Sequence, residues 1–298
     1  MPVLTRRGFT MVELLIALVL LGIVSGAIYQ VLVNNQRVYQ AQTQQIDLQQ
    51  NLRAASSILP AEFRELDARE GDIQAMSATS IQIRAMRKLA FICSNVPGLG
   101  AGTVTLTYRQ TPSFPSGVTF NLGDSVLVFY EGNPAKRDDD HWLLATATSR
   151  VAGFCLNDIP ATTPGYVLTL QANWANADTL KGISRGSPIR AFEVIQYRQY
   201  QAADGKYYLG YQNLTSGGSI QPLIGPLAGS AGLEFDYYDS TGTATALPAQ
   251  VAMIAIHVRS QTAQAVRSQG ATGTIAVKVD SITTRVALRN NPRCGPCK

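Results

Sequence analysis

The chain has 298 residues, of which 46% are hydrophobic and 15% charged, and its formal net charge is +5. That apolar share is enough to build a real core and excludes disorder as the dominant state, while the modest charge, with no dense Lys/Arg stripe interleaved with aromatics, calls for no nucleic-acid partner. Gly, Pro, Val, Ile, Thr and Tyr are frequent after about residue 72, so the later part is predicted to be β-rich.

From Phe9 to Val33 the sequence FTMVELLIALVLLGIVSGAIYQVLV is apolar for about 25 residues, longer than the roughly 20 that cross a hydrocarbon core as a helix. One charge, Glu13, interrupts it. Arg6 and Arg7 precede it and would hold the N-terminus on the cytoplasmic side, sending the bulk of the chain across the membrane. The predicted topology is a single span with the C-terminal part outside the cytoplasm. An ordinary secretory signal would have a shorter apolar core followed by a small-residue cleavage site, which fits poorly. A twin-arginine export signal fails on the same ground and on Glu13.

No proline occurs between Pro2 and Pro60, so the helix is predicted to continue past Val33. Leu48, Leu52, Ala55, Leu59, Phe63 and Leu66 recur at steps of three or four and form one apolar helix face. Helical from Phe9 to Leu66, the segment would extend about 87 Å, far beyond a bilayer, so its second half must pack on something else. Pro60 predicts a kink or a break.

The run Arg6, Arg7, Gly8, Phe9, Thr10, Met11, Val12, Glu13, Leu14, Leu15 resembles the class III signal of type IV prepilins and type II secretion pseudopilins. The resemblance implies that a prepilin peptidase cuts between Gly8 and Phe9, that Phe9 becomes the N-methylated terminus, and that Glu13 guides assembly. The implied partners are other pilin or pseudopilin subunits, the prepilin peptidase/methylase and the inner-membrane assembly platform, and the final location is a filament or its tip. The likeness extends more softly to about residue 66, where LQQNLRAASSILPAEFREL is similar to the amphipathic half-helix of PilW-like minor pilins and J-type minor pseudopilins. The absence of a late proline in the apolar segment points to a minor subunit, and Glu13 argues against the largest tip pseudopilins, which typically lack it. The roles also have a physical basis. A carboxylate in an apolar helix needs a partner, and cleavage after Gly8 would bare the Phe9 amine of a neighbour in the same layer.

The expected fold is thus pilin-like α+β: a cleaved leader over 1–8, a transmembrane or filament-core half-helix over 9–33, an amphipathic half over 34–70 packed on an antiparallel sheet, and an elaborated β-rich head over 71–298. Predicted strands are Ser80 to Met86, Leu89 to Cys93, Thr103 to Gln110, Ser125 to Tyr130, Trp142 to Thr148, Tyr166 to Leu170, Ile189 to Tyr200, Tyr207 to Gln212, Leu233 to Tyr238, Val251 to Ser260 and Thr274 to Arg289. Asp204 and Gly205 predict a tight hairpin turn. Pro160 to Pro164 and the Gly/Ser-rich Ser216 to Gly232 read as long surface loops or linkers.

Other constellations have duller readings that weigh more. Cys93, Cys155, Cys294 and Cys297 suit an oxidising compartment and allow three pairings. Cys93 with Cys155 is the preferred staple, leaving Cys294 and Cys297 to a terminal disulfide or to bridges with the other two. Cys294-Gly295-Pro296-Cys297 has thioredoxin-like spacing without the βαβ pattern that such a site needs. Gly182-Ile183-Ser184-Arg185-Gly186 fits a hydrolase elbow with His257 downstream, but Pro188 and a strand-like run follow where a helix is required. A membrane-anchored extracytoplasmic enzyme, hydrolase or thiol redox, is therefore the alternative to a non-enzymatic subunit. His141 and His257 are too few for a histidine zinc site, and Asp138, Asp139 and Asp140 lack EF-hand spacing and read as a solvated hairpin tip. Tyr197, Tyr200, Tyr207, Tyr208, Tyr211, Tyr237 and Tyr238 read as cross-strand partners rather than a binding patch. No metal and no cofactor are implied.

Overall fold

A computed structural model describes residues 9–94, 97–110, 119–133, 135–136, 139–267 and 275–289. Helix α1 spans Met11–Arg64 without interruption, about 81 Å at 1.5 Å per residue. The predicted break at Pro60 does not occur. Leu59 and Phe63 flank that proline on one face and are fully buried, so packing outweighs a loss of about 3 kcal/mol for a proline in a helix interior.

The strands follow as β1 (Ile73–Ser77), β2 (Ser80–Phe91), β3 (Gly98–Gly100), β4 (Thr103–Arg109), β5 (Ser125–Tyr130), β6 (His141–Phe154) and β7 (Pro164–Gln171). A short helix α2 (Ala177–Leu180) leads to β8 (Pro188–Gln201), β9 (Tyr207–Asn213), β10 (Gln221–Leu227), β11 (Leu233–Tyr238), β12 (Met253–Gln261), β13 (Val266–Arg267), β14 (Ile275–Ala276) and β15 (Val279–Ala287). The main sheet runs β11-β12-β10-β9-β8-β5-β6-β7-β4-β3, with β15 on β12 and β1-β2 on β8, while β13 and β14 form a separate small hairpin. The described pairings are all antiparallel. The chain thus has the pilin-like α+β fold, with the second half of the long helix laid on an antiparallel sheet.

Two hydrophobic cores lie along this sheet. The first joins Leu52, Ala55, Leu59 and Phe63 of α1 to Ile81, Ile83, Ile195, Tyr197, Phe235 and Ile254. The second has no contribution from α1 and holds Val104, Leu106, Tyr108, Val126, Leu168, Leu170 and Ile189. The long β2–β8 ladder links them, since Ile81↔Tyr197 sits in the first and Ala90↔Ile189 in the second.

Several strand expectations are corrected. Ser80 to Met86 and Leu89 to Phe91 form one strand, β2, with a bulge between Met86 and Lys88, and Ile92 and Cys93 lie beyond its end. The polar Arg87 that separates the two runs in sequence turns to Glu62 of α1 (3.1 Å) and Glu193 (3.6 Å). The single strand expected over Thr274 to Arg289 is split into β14 and β15, its first residue lying outside the described residues. The stretch Ser216 to Gly232 is no linker, because β10 runs through it with Ile224 and Leu227 buried. Pro222 and Pro226 cannot donate to the ladder. Side chains serve the carbonyls instead: Asn51 Nδ2 of α1 donates to Gly225 O (2.9 Å) and Ser260 Oγ to Pro226 O (2.8 Å). Residues 160–163 do form a turn at the exposed β6–β7 connection, and Pro164 begins β7.

Helix α1 hands over to β1 through a tight turn. Asp67 N donates to Asp72 Oδ2 (2.9 Å) and Asp72 N to Asp67 O (3.0 Å), with Gly71 at φ 79°, a left-handed conformation that favours glycine. Asp72 is buried and its Oδ1 has no hydrogen-bond partner among the described residues. Burial pushes its carboxyl up to about 6, against the pull of the Asp67 N–H and the nearby Arg190 and Arg84.

Candidate functional site

The site begins where the described chain begins. Phe9 is 83% exposed, and Thr10, extended at φ −79°, caps α1. Thr10 Oγ1 accepts from Glu13 N (3.3 Å), while Glu13 Oε2 accepts both Thr10 N (3.0 Å) and Thr10 Oγ1 (3.0 Å). This capping box satisfies two of the orphan donors at the helix start. It also gives the acid local hydrogen bonds, with no cation beside it among the described residues. Arg6, Arg7 and Gly8 lie outside the described residues.

Beyond this cap the apolar residues are laid bare. Leu14, Ile16, Leu18, Leu20, Ile23, Ile28 and Val31 are each more than half exposed. The helix is long and apolar enough to cross a membrane, and its most apolar stretch is not buried against any other described part of the protein. Burial begins only at Leu48. The helix thus has two surfaces for two purposes: its first half is available to lipid or to other helices, and its second half is committed to the head.

Cys93 and Cys155 form a disulfide with Cα atoms 5.5 Å apart, tying the end of β2 to the β6–β7 connection. Cys294 and Cys297 lie outside the described residues. Beside that staple, and unmarked in the sequence, Asp158 holds two guanidinium groups: Arg109 Nη2 at 2.7 Å on Oδ2 and Arg185 Nη2 at 2.8 Å on Oδ1. The Arg109 hydrogen bond, with help from Arg185, keeps the Asp158 carboxyl below its usual range. Nothing local in the sequence could have found this clamp, because its members are 27 and 49 residues from Asp158.

The hydrolase-like motif does not take the geometry that an elbow requires, and Cys294-Gly295-Pro296-Cys297 lies outside the described residues. Ser184 lies in a turn preceded by the four-residue α2 and followed by β8, the reverse of the strand–turn–helix order an elbow requires. Gly182 is there because a side chain would collide with the Tyr130 ring. His257 sits on β12, where Nε2 meets Asp236 Oδ2 (3.0 Å) and Nδ1 meets Thr283 Oγ1 (2.9 Å), a row of neighbours across three strands. His141 packs against Tyr130. Asp139 and Asp140 accept backbone N–H groups of Asn133 (2.7 Å) and Gly132 (3.3 Å), and Asp138 lies outside the described residues. The tyrosines are mostly half-buried. Tyr197 meets Phe63 edge-on at 5.9 Å, Tyr237 Oη donates to Ser77 O (3.0 Å) and Tyr208 Oη to Asp204 Oδ2 (2.8 Å).

Residues 4–29 match the family model described as the Prokaryotic N-terminal methylation motif. No curated protein and no solved structure matches the chain. The matched stretch contains Phe9, the Thr10–Glu13 cap and most of the exposed apolar helix surface.

Proposed function

We propose that this chain, whose N-terminal methylation motif supports a type IV prepilin-like protein, is a non-enzymatic minor subunit of a type IV pilus or type II secretion pseudopilus. In this reading a prepilin peptidase cuts between Gly8 and Phe9 and methylates the Phe9 amine. The apolar half of α1 holds the precursor in the inner membrane with its head in the periplasm, and the same surface becomes part of the filament core. The subunit helps to prime or cap assembly.

The observation that carries the proposal is the lone Glu13 at the start of an uncovered apolar helix. An uncompensated carboxylate costs several kcal/mol in lipid and marks a functional position. The Thr10 cap gives it two hydrogen bonds before assembly. A neighbour's Phe9 amine supplies the missing positive charge, favouring withdrawal of the helix into a bundle. Cleavage after Gly8 leaves both Thr10 donors in place, so the cap survives maturation.

Glu13→Ala and Glu13→Gln, expressed in cells that assemble the filament, separate charge from capping. Both variants should be cleaved as the parent is, and both should be lost from the sheared filament fraction. Normal incorporation of Glu13→Gln, which keeps the hydrogen-bonding shape without the charge, would refute the pairing.

A further inference from the structure

Phe91 and Pro188 face each other in the β2–β8 ladder, so residues 92–187 leave the body of the head and return to it at one point. The second core, to which α1 contributes nothing, lies largely within this insertion. Its strands come back to the end of β2 through a bridge between Ile92 and Tyr108, and the Cys93–Cys155 disulfide fixes the β6–β7 loop beside that closure. The loop is also braced from within. Cys155 N donates to Thr163 O (2.9 Å), Asp158 N to Cys155 O (2.9 Å) and Thr163 Oγ1 to Pro160 O (2.7 Å).

Two features of this loop exceed what its own stability requires. The first is charge. One guanidinium would neutralise Asp158, yet both Arg109, at the end of β4, and Arg185, in the turn before β8, bind it, which leaves one positive charge in excess. The Asp158 carboxylate is 3% exposed, whereas the two arginine side chains are 52% and 46% exposed. Arg109 uses Nε and Nη2 on Asp158 and Arg185 uses Nη2, so most of the N–H donors on each guanidinium remain for another acceptor. Neither arginine forms an ion pair with any other carboxylate among the described residues. Because both are pinned to one carboxylate, the nitrogens that bind it stand no more than about 8 Å apart, a gap that the oxygens of a second oxyanion can bridge.

The second feature is apolar exposure. Leu156 and Ile159 flank Asp158 in the same loop, the first 73% exposed and the second fully exposed. Held out in this way they gain nothing from the fold, but they gain by burial against a partner, and the bracing has already ordered the backbone that carries them.

We propose that the β6–β7 loop, with Arg109 and Arg185, is a docking surface for an acidic segment of another polypeptide, in which a carboxylate is flanked by apolar side chains. The carboxylate accepts from the free N–H groups of Arg109 and Arg185, and its apolar neighbours cover Leu156 and Ile159. Asp158 is a positioning residue that holds the two guanidiniums ready. Charge complementarity selects the occupant, because the excess is positive, and a bare phosphate would leave both aliphatic side chains uncovered. The surface lies on the second core, so it does not depend on the filament reading.

Fluorescence anisotropy on the full chain in detergent micelles, with binding to empty micelles subtracted, tests the assignment. The probes are rhodamine-labelled Gly-Leu-Glu-Leu-Gly-amide, the same peptide with Gln for Glu, and the acidic peptide with Ser for both Leu; inorganic phosphate is titrated separately. The first peptide should bind at least about tenfold more tightly than either of the others, and more weakly as salt is raised. Ile159→Ser, at a fully exposed position where the fold does not depend on the side chain, should weaken it at least about threefold. Arg185→Gln should weaken it at least about tenfold with an unchanged circular dichroism spectrum. If Arg185→Gln disturbs the fold, the Gln peptide and Ile159→Ser decide the matter alone. Absence of binding by the acidic peptide, or equal binding of the acidic and Gln peptides, would overturn the proposal. Phosphate that binds as tightly as the acidic peptide, with no effect of Ile159→Ser on either, would show a plain oxyanion site and overturn the polypeptide assignment.

Discussion

Truncating Phe63 tests the joint between filament helix and head. The ring is fully buried on α1 and meets Tyr197 at 5.9 Å and 77° and Phe235 at 6.0 Å and 64°. Phe63→Ala should cost about 3–5 kcal/mol, most of it from lost apolar burial and an unfilled cavity. The two edge-to-face contacts, each worth about 0.5–1.5 kcal/mol beyond area, place the expected loss in the upper part of that range. Since whole domains are stable by only about 5–15 kcal/mol, the variant should be marginal. Urea unfolding of the full chain in detergent micelles, followed by circular dichroism and extrapolated linearly, measures the difference. Phe91→Ala provides the control, since Phe91 is 51% exposed and should lose less than about 1 kcal/mol. Equal losses for the two variants would refute the helix–sheet core as the source of the head's stability.

Gly8→Glu should block leader removal, seen as a precursor of unchanged mobility in membrane fractions; a mature product of normal size would contradict the assigned cut. Asp72→Asn should stabilise the protein at pH 7.5 and do little at pH 4. The folded carboxyl titrates near 6, above an unfolded value near 3.9, so its charged form opposes folding as the pH rises between those values. The gain is bounded at about 3 kcal/mol above pH 7. A pH-independent effect in parallel urea titrations would refute burial as its cause.

What could be read in advance followed local periodicity. The face formed by Leu48, Leu52, Ala55, Leu59 and Phe63 was legible because a helix repeats its burial every three or four residues. Strand β5 is a short continuous apolar run and β11 alternates its burial, each between turn signals, and their predicted and observed limits coincide. Strand β10 was not legible, because Pro222, Gly225 and Pro226 look like a linker until Asn51 and Ser260 are brought to their carbonyls from distant segments. The bulge at Arg87 hid the continuity of β2 in the same way, since only the fold places Glu62 and Glu193 beside it. At the candidate site the lone acid was visible from its apolar context. Its capping bonds with Thr10 were also encoded locally, in a Thr followed three residues later by Glu. The Asp158 clamp and the orientation of the β13–β14 hairpin along α1 arise from tertiary contacts, which leave no mark on neighbouring residues.

The most direct measurement is mass spectrometry of the N-terminal peptide of the protein purified from cells with an active prepilin peptidase. The expected peptide begins at Phe9 and carries one methyl group on its amine. A peptide that still contains Arg6, Arg7 and Gly8 would leave Glu13 with no bared amine to meet and would contradict the filament assignment.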